Sequence, residues 1–218
     1  MQSLGTIVRL QIQRSSLKTG VSRARVYHPA PLLPVSVLYV SPDGVFGLGP
    51  DGSWLIDIHH RAHPDSKNPG GENGISIGFS GHYDAMRERF GDRIELGCAG
   101  ENIIAELPRR CTLDELRAGL VILSPAGAER LRLRVLDVAH PCKPFTGWAL
   151  AHTVEPEIFK THLQFLEDGT RGFLLATETA ARISVGDHVA VLDEREAGSE
   201  KGEAGSGKRE GGNEKREA

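Results

Sequence analysis

Short apolar runs, each bounded by turn residues and never alternating with long helical stretches, constrain this chain more than any other feature. Thr6 to Gln13 alternates along its length, the period-two pattern of a half-buried strand. Val8, Leu10 and Ile12 are expected together on its core face. Val35–Val40 reads as a second strand, closed by the turn residues Ser41-Pro42-Asp43-Gly44. Trp54–Ile58, Asn102–Leu107, Leu120–Leu123, Leu131–Val138, Gly172–Ala176 and His188–Leu192 continue the series. Helical signals are few. Ser80 is placed to cap a helix through Tyr83, Met86 and Phe90, stopped by Gly91. Thr112 to Glu115 has the capping-box pattern. Glu155–Asp168 carries a broad apolar stripe ending at Gly169. With no alternation of strand and helix, the pattern predicts a mainly β fold. Its expected form is a closed or nearly closed β-barrel with a few peripheral helices.

From Glu194 to Ala218 the chain holds Gly, Ser, Glu, Lys and Arg but no large apolar residue. Such a segment buries too little surface to offset the entropy of ordering, so residues 194–218 are expected to be a disordered tail. That leaves 3–193 as one folded domain. The formal charge of −3 argues against a dedicated nucleic-acid binder. The start shows no charged region followed by an apolar one, so no secretory signal is expected. No apolar run is long enough to span a membrane. Three cysteines without repeated spacing, Cys98, Cys111 and Cys142, make a disulfide framework unlikely to be the organising device and point to a cytoplasmic location.

The run from Leu131 to Phe145 carries the most chemistry. It opens as a strand with Leu131, Leu133 and Val135 on one face. The apolar parity then shifts to Leu136 and Val138, as a bulge produces. Pro141 cannot donate to a ladder and is expected to end the strand, leaving Cys142 at its exit between Pro141 and Pro144. His140 and Lys143 are cations near enough in sequence to favour a thiolate. The alternative, a cysteine acting as a small buried hydrophobe, stays open on these features alone. Cys98 and Cys111 match no motif and read as structural.

Gly5-Thr6-Ile7-Val8, His59-His60, Gly100-Glu101-Asn102-Ile103, the strand entering Pro141-Cys142, Arg171-Gly172-Phe173 and Ile183 to Asp187 follow one another across the folded unit. In this order they resemble the MOSC domain, the module named for the C-terminal part of molybdenum cofactor sulfurases. The resemblance implies a β-barrel and a cysteine that ligates molybdenum in cofactor-bound members, which reduce N-hydroxylated compounds. Carried over, Cys142 is the metal ligand and, with Asn102 lining the pocket, the catalytic candidate. It also implies a molybdopterin-type molybdenum cofactor, a small-molecule substrate and a separate electron-donor protein, with no nucleic-acid or membrane partner. A rival role for Cys142 is to carry a persulfide or hand the cofactor on.

The family's His-His-Gly-Gly stretch is replaced here by a longer loop after His59-His60. In that loop Ser66, Lys67 and Asn68 offer a cation and donors suited to a pterin phosphate, with His59 and His60 beside them. Two alternatives remain: zinc held by His59, His60, His63 and His82, or a polar surface loop. Arg171 is a candidate anion holder or a solvated edge charge. Asn102 on its own is equally compatible with satisfying a turn. No counterpart of the sulfurases' aminotransferase-like part is visible, and pyridoxal phosphate is not expected.

Overall fold

In the computed structural model, which describes residues 1–21, 24–68, 70–71 and 74–193, the N-terminal segment is a single long strand, β1 (Gln2–Gln13). A small pair follows, β2 (Lys18–Thr19) and β3 (Val26–Tyr27). Next come β4 (Leu32–Val35), β5 (Val37–Ser41), β6 (Gly44–Leu48) and β7 (Trp54–Ile56). After a long loop the chain forms β8 (Ile75–Phe79), α1 (Ser80–Phe90) and β9 (Ile103–Ala105). The one-turn helix α2 (Leu113–Leu116) leads to β10 (Leu120–Leu123) and β11 (Glu129–Val138). Helices α3 (Lys143–Leu150) and α4 (Pro156–Phe165) precede β12 (Phe173–Ala176), β13 (Ala181–Ser184) and β14 (His188–Val191). The segment 194–218 lies outside the described residues.

The strands close into a barrel in the order β1-β14-β10-β11-β12-β8-β9 and back to β1. Neighbours are antiparallel except β8 and β9, whose parallel pairing is made by the crossover through α1. The far half of β1 also pairs with β4, and β13-β5-β6-β7 form a second sheet. The mainly β, closed-barrel expectation is therefore what the chain builds.

Two irregularities in β1 fit it to two partners. Its register shifts between Ser3 and Gly5 against β14, and between Ile7 and Arg9 against β9. A bulge inserts one residue and reverses which side chains face the core. So Ile7 joins Leu10 and Ile12 inside while Val8 is 39% exposed, correcting the expectation that Val8 shares their face. In β11 the parity shift does mark a bulge, between Val135 and Asp137.

Two larger apolar clusters and a small one at Val121, Ala190 and Leu192 result among the described residues. Leu10, Ile77, Ile103, Leu133, Phe173 and Val189 belong to the barrel interior. Tyr27, Tyr83, Met86, Ile104, Phe145 and Leu166 form a second layer between the barrel's outer surface and the helices. The neighbours Ile103 and Ile104 thus serve opposite faces of β9.

The helices agree with the sequence in part. The capping box at Thr112 and Glu115 is formed, and Gly91 ends α1 with φ 85°. Phe79, not Ser80, is the N-cap of α1. The Ser80 hydroxyl instead donates to the Leu107 carbonyl and accepts its N–H, both at 3.0 Å, tying α1 to the end of β9. Helix α4 is shorter than Glu155–Asp168, and Gly169 (φ 80°) follows its C-terminal end. Helix α3 was not anticipated. Pro144 lies in its first turn, where a missing N–H costs nothing, so this proline starts a helix rather than only ending a strand.

Gly5 has φ 128°, and a Cβ there would lie 1.8 Å from the Glu106 carbonyl oxygen. Gly5→Ala is expected to cost at least about 2 kcal/mol, from positive φ plus a backbone clash. Denaturant unfolding of the two proteins measures it, and an unchanged midpoint would show that this crossing is not tight.

Candidate functional site

Cys142 is the N-cap of α3, in extended backbone (φ −125°, ψ 143°). Its carbonyl accepts the Thr146 N–H at 3.1 Å and the Thr146 hydroxyl at 3.2 Å. Its side chain makes no capping bond, which leaves the half-buried sulfur to face Arg171. Arg171 Nη1 lies 3.8 Å from Cys142 Sγ and 3.4 Å from the His140 carbonyl. Nη2 donates to the Ala99 carbonyl at 2.7 Å, and the guanidinium carbon sits 4.4 Å from the centre of the Phe145 ring. Arg171 Nε is buried without a hydrogen-bond partner. Gly172 brings this arginine in: with φ 89°, it sits where a Cβ would be 2.3 Å from the Ile77 carbonyl. The structure brings Arg171 against Cys142, a pairing the sequence reading did not make.

Between β8 and β1, the Gly97–Asn102 segment is held by side chains from several elements. Gln11 Nε2 donates to the carbonyls of Gly97 and Glu101, both at 2.8 Å. The Tyr27 hydroxyl donates to Cys98 O at 2.6 Å. With Arg171 on Ala99 O, the consecutive carbonyls of Gly97, Cys98 and Ala99 are each fixed by a neighbour that is distant in sequence. The Glu101 carboxyl is buried beside Gly78 and accepts a short hydrogen bond from the Tyr83 hydroxyl. Burial pushes that carboxyl above its ordinary range, opposed by the Tyr83 hydrogen bond and the Arg171 charge. Burial likewise raises the Cys98 thiol to about 12, which fits its structural reading. Sequence reasoning missed Gln11, Tyr27, Tyr83 and Glu101 as parts of this arrangement. Gln11, a polar residue between the apolar Leu10 and Ile12, gave a signal that equally fits a solvated strand face, and Glu101 stood in the Gly100-Glu101-Asn102-Ile103 motif without a role of its own.

Asn102 belongs to a second group. Its Oδ1 accepts the Ser76 N–H at 3.1 Å and the Ser76 hydroxyl at 3.0 Å. Its Nδ2 donates to Asp57 Oδ2 at 3.3 Å. Asp57 is fully buried and also accepts the N–H of Gln13 at 2.6 Å and of His59 at 2.7 Å, with His59 Nδ1 at 3.1 Å. Asn68 Nδ2 donates to the His59 carbonyl at 3.1 Å. The Ser66 hydroxyl accepts the Asn68 N–H, His60 is buried with its ring 4.5 Å from that of Phe46, and Lys67 is exposed. His59 and Asn68 are thus anchored through Asp57 to Asn102 and β1. Cys142 leaves β11, and the order β11-β12-β8-β9-β1 separates the two groups.

The zinc alternative loses its geometry. Among the described residues no group of three or more His, Cys, Asp or Glu side chains is placed to hold a metal. His82 is buried beside Phe79 and Phe173, and its Nε2 accepts the Cys111 N–H at 2.9 Å. A hollow of about 490 Å³ is lined by Arg130, Arg132, Arg134 and Thr177, and one of about 390 Å³ by Gly147, His152 and Phe159. Cys142 lines neither. No helix among the described residues is long and apolar enough to cross a membrane.

The family model for the MOSC domain matches residues 65–190, more than half of the chain. This chain belongs to the MOSC domain family. The family is associated with the molybdenum cofactor. Among solved structures, the YUAD protein from Bacillus subtilis is 17% identical, with a TM-score of 0.51 over 84% of this chain and 93% of that one. At that identity the likeness concerns the fold alone. YiiM from Geobacillus stearothermophilus is 17% identical (TM-score 0.49, 86% of this chain and 75% of that one). YiiM from Escherichia coli is 12% identical (TM-score 0.49, 86% and 70%). No curated protein matches the sequence. The MOSC match begins after β7, so β1, its partner β4 and the Asp57 anchor lie outside the matched span.

Burial, then the Arg110 charge, lowers the His82 pKa to about 4 from an ordinary 6.5. The unfolded chain therefore takes up this proton at a higher pH than the folded one, and stability falls as pH drops from 6.5 towards 4. The loss is about 3 kcal/mol. Glu101, shifted upward, acts with the opposite sign and is common to wild type and variant. Guanidinium unfolding at pH 7 and pH 4 is expected to show a smaller acid loss in His82→Gln by about that amount. Identical pH slopes would refute a neutral buried His82.

Proposed function

We propose that this MOSC domain holds the molybdenum cofactor through the Cys142 thiolate and reduces N-hydroxylated compounds with electrons from a separate donor protein. The observation that supports this reading is the half-buried Cys142 sulfur at the start of α3 with Arg171 Nη1 at 3.8 Å. The donor set suits the group. One cysteine sulfur stands beside a guanidinium, and the buried Arg171 Nε–H has no protein acceptor, as befits a site for an anionic, phosphate-bearing cofactor. When bound, that cofactor supplies a metal able to exchange two electrons with a substrate.

The chain's own residues do the rest. Cys142 supplies the metal-ligating sulfur from the N-cap position of α3. Arg171 sets a positive charge beside that sulfur, with its plane fixed by the Phe145 ring and the Ala99 carbonyl. The Gly97–Asn102 clamp keeps Ala99 in place. Removing one oxygen from an N-hydroxylated compound consumes two electrons and two protons and releases water. No flavin, haem or iron–sulfur motif is read in the sequence, so the electrons are assigned to a partner protein; the three free cysteines suit a reducing compartment, and the reaction is assigned to the cytoplasm. Asn102, with His59, His60, Ser66, Lys67 and Asn68, is assigned to a cofactor or substrate contact on the side of β1, across β12, β8 and β9 from Cys142. In a second reading Cys142, a free and partly exposed thiol, carries a persulfide or hands the cofactor on.

Protein produced in a host that makes the cofactor is expected to retain molybdenum and pterin as wild type and to lose both as Cys142→Ala. Arg171→Gln is expected to weaken retention by roughly tenfold to a hundredfold. Equal metal in wild type and Cys142→Ala refutes the ligand role. A sulfur adduct on the Cys142 peptide, seen by mass spectrometry without reductant in protein free of metal, selects the carrier reading instead.

A further inference from the structure

Arg89, at the end of α1, and Arg110, just before α2, converge on one aromatic ring. Their guanidinium carbons lie 4.7 and 5.7 Å from the centre of the Phe165 ring at the end of α4. Their sequence neighbours are compensated. Arg87 pairs with Asp84 at 2.9 Å, and Arg109 with Glu115 at 2.7 Å. Neither Arg89 nor Arg110 has a carboxylate within ion-pair distance among the described residues. Arg89 Nε donates to His162 Nδ1 at 3.2 Å, which makes that nitrogen an acceptor and leaves the His162 proton on Nε2. His162 senses the uncompensated charge: burial first, then Arg89 and His152, hold its pKa below the ordinary range. Phe90 closes the patch, with its ring 5.3 Å from His162 and 6.0 Å from Phe165.

We propose that Arg89 and Arg110 form a binding site for a phosphate-type dianion, with the His162 ring orienting Arg89 through Nδ1. Two forked guanidiniums present parallel N–H groups that match a tetrahedral oxyanion. The anion relieves the repulsion between two like charges gathered on one ring. The Phe90 and Phe165 rings offer apolar contact to the organic part of a phosphomonoester. The patch is independent of Cys142 and of the redox reading.

Nuclear magnetic resonance of the full chain, titrated with inorganic phosphate and separately with a nucleoside monophosphate, tests it. Saturable shifts are expected at the His162 ring and at Arg89 Nε, together with a rise in the His162 pKa as the anion offsets Arg89. Arg89→Gln and Arg110→Gln are each expected to weaken binding about tenfold. Arg117→Gln, which removes a guanidinium paired with Asp114 at 2.8 Å, leaves it unchanged. Higher salt weakens it further. Tighter binding of the monophosphate identifies an organic phosphomonoester as the ligand, and equal binding identifies free phosphate. A His162 signal unmoved by either anion overturns the site. So does equal affinity in an Arg89→Gln, Arg110→Gln double variant whose thermal midpoint matches wild type.

Discussion

Closure of the barrel rests on β1. Its first half is hydrogen-bonded to β14 and its middle to β9, which joins the last strand of the chain to one from its centre. A straight strand cannot serve both neighbours, because each has its own twist and register. The two bulges supply the bend, and Gly5 lets the backbone pass against Glu106 where no side chain fits. Without that closure β9 would be an edge, and the segment entering it would lose the Gln11 bonds to Gly97 and Glu101.

The outer face is where polar groups accumulate, and the reason is parity. Ile75, Ile77 and Phe79 of β8 face the barrel core, so Ser76 and Gly78 face outwards. Leu10 and Ile12 face in, so Gln11 and Gln13 face out. Helices α1, α3 and α4 cover much of that surface, which buries these groups and obliges each to find a partner. Gln11 finds two loop carbonyls, Asn102 finds Ser76 and Asp57, and Glu101 finds Tyr83. The loop carrying them is rigid as a result, and rigidity here is what positions the Ala99 carbonyl for Arg171.

Strand periodicity made the barrel readable, and local rules made the Thr112 capping box and the β11 bulge readable too. Val8 failed because a bulge is set by the partner strand, and the alternating sequence of β1 is the same with or without it. Helix α3 was hidden by Pro144, whose two uses, ending a strand and opening a helix, look alike in sequence. The site divides in the same way. Cys142 was visible through its flanking prolines and the ordered MOSC-like motifs. Its partnership with Arg171 depends on β11 pairing with β12, a contact between residues far apart in the chain. Asp57 carried no local signal at all, since its role as an anchor comes from lying beside Gln13 and Asn102 in space.

The charge at Arg171 is held in an unusual manner, and this bears on what the neighbouring sulfur can do. Its hydrogen-bond acceptors are the carbonyls of Ala99 and His140, which orient a guanidinium without neutralising it. The nearest buried carboxyl in its electrostatic surroundings, Glu101, is pushed towards its neutral form by burial and receives its hydrogen bond from Tyr83 instead. A positive charge secured by dipoles, with the Phe145 ring beneath it, keeps most of its field for a third party. Cys142 Sγ is the atom that field meets at 3.8 Å, and the unpartnered Nε–H leaves room for one further acceptor. A carboxylate in place of either carbonyl would have spent that charge in an ion pair and left the sulfur a packing atom.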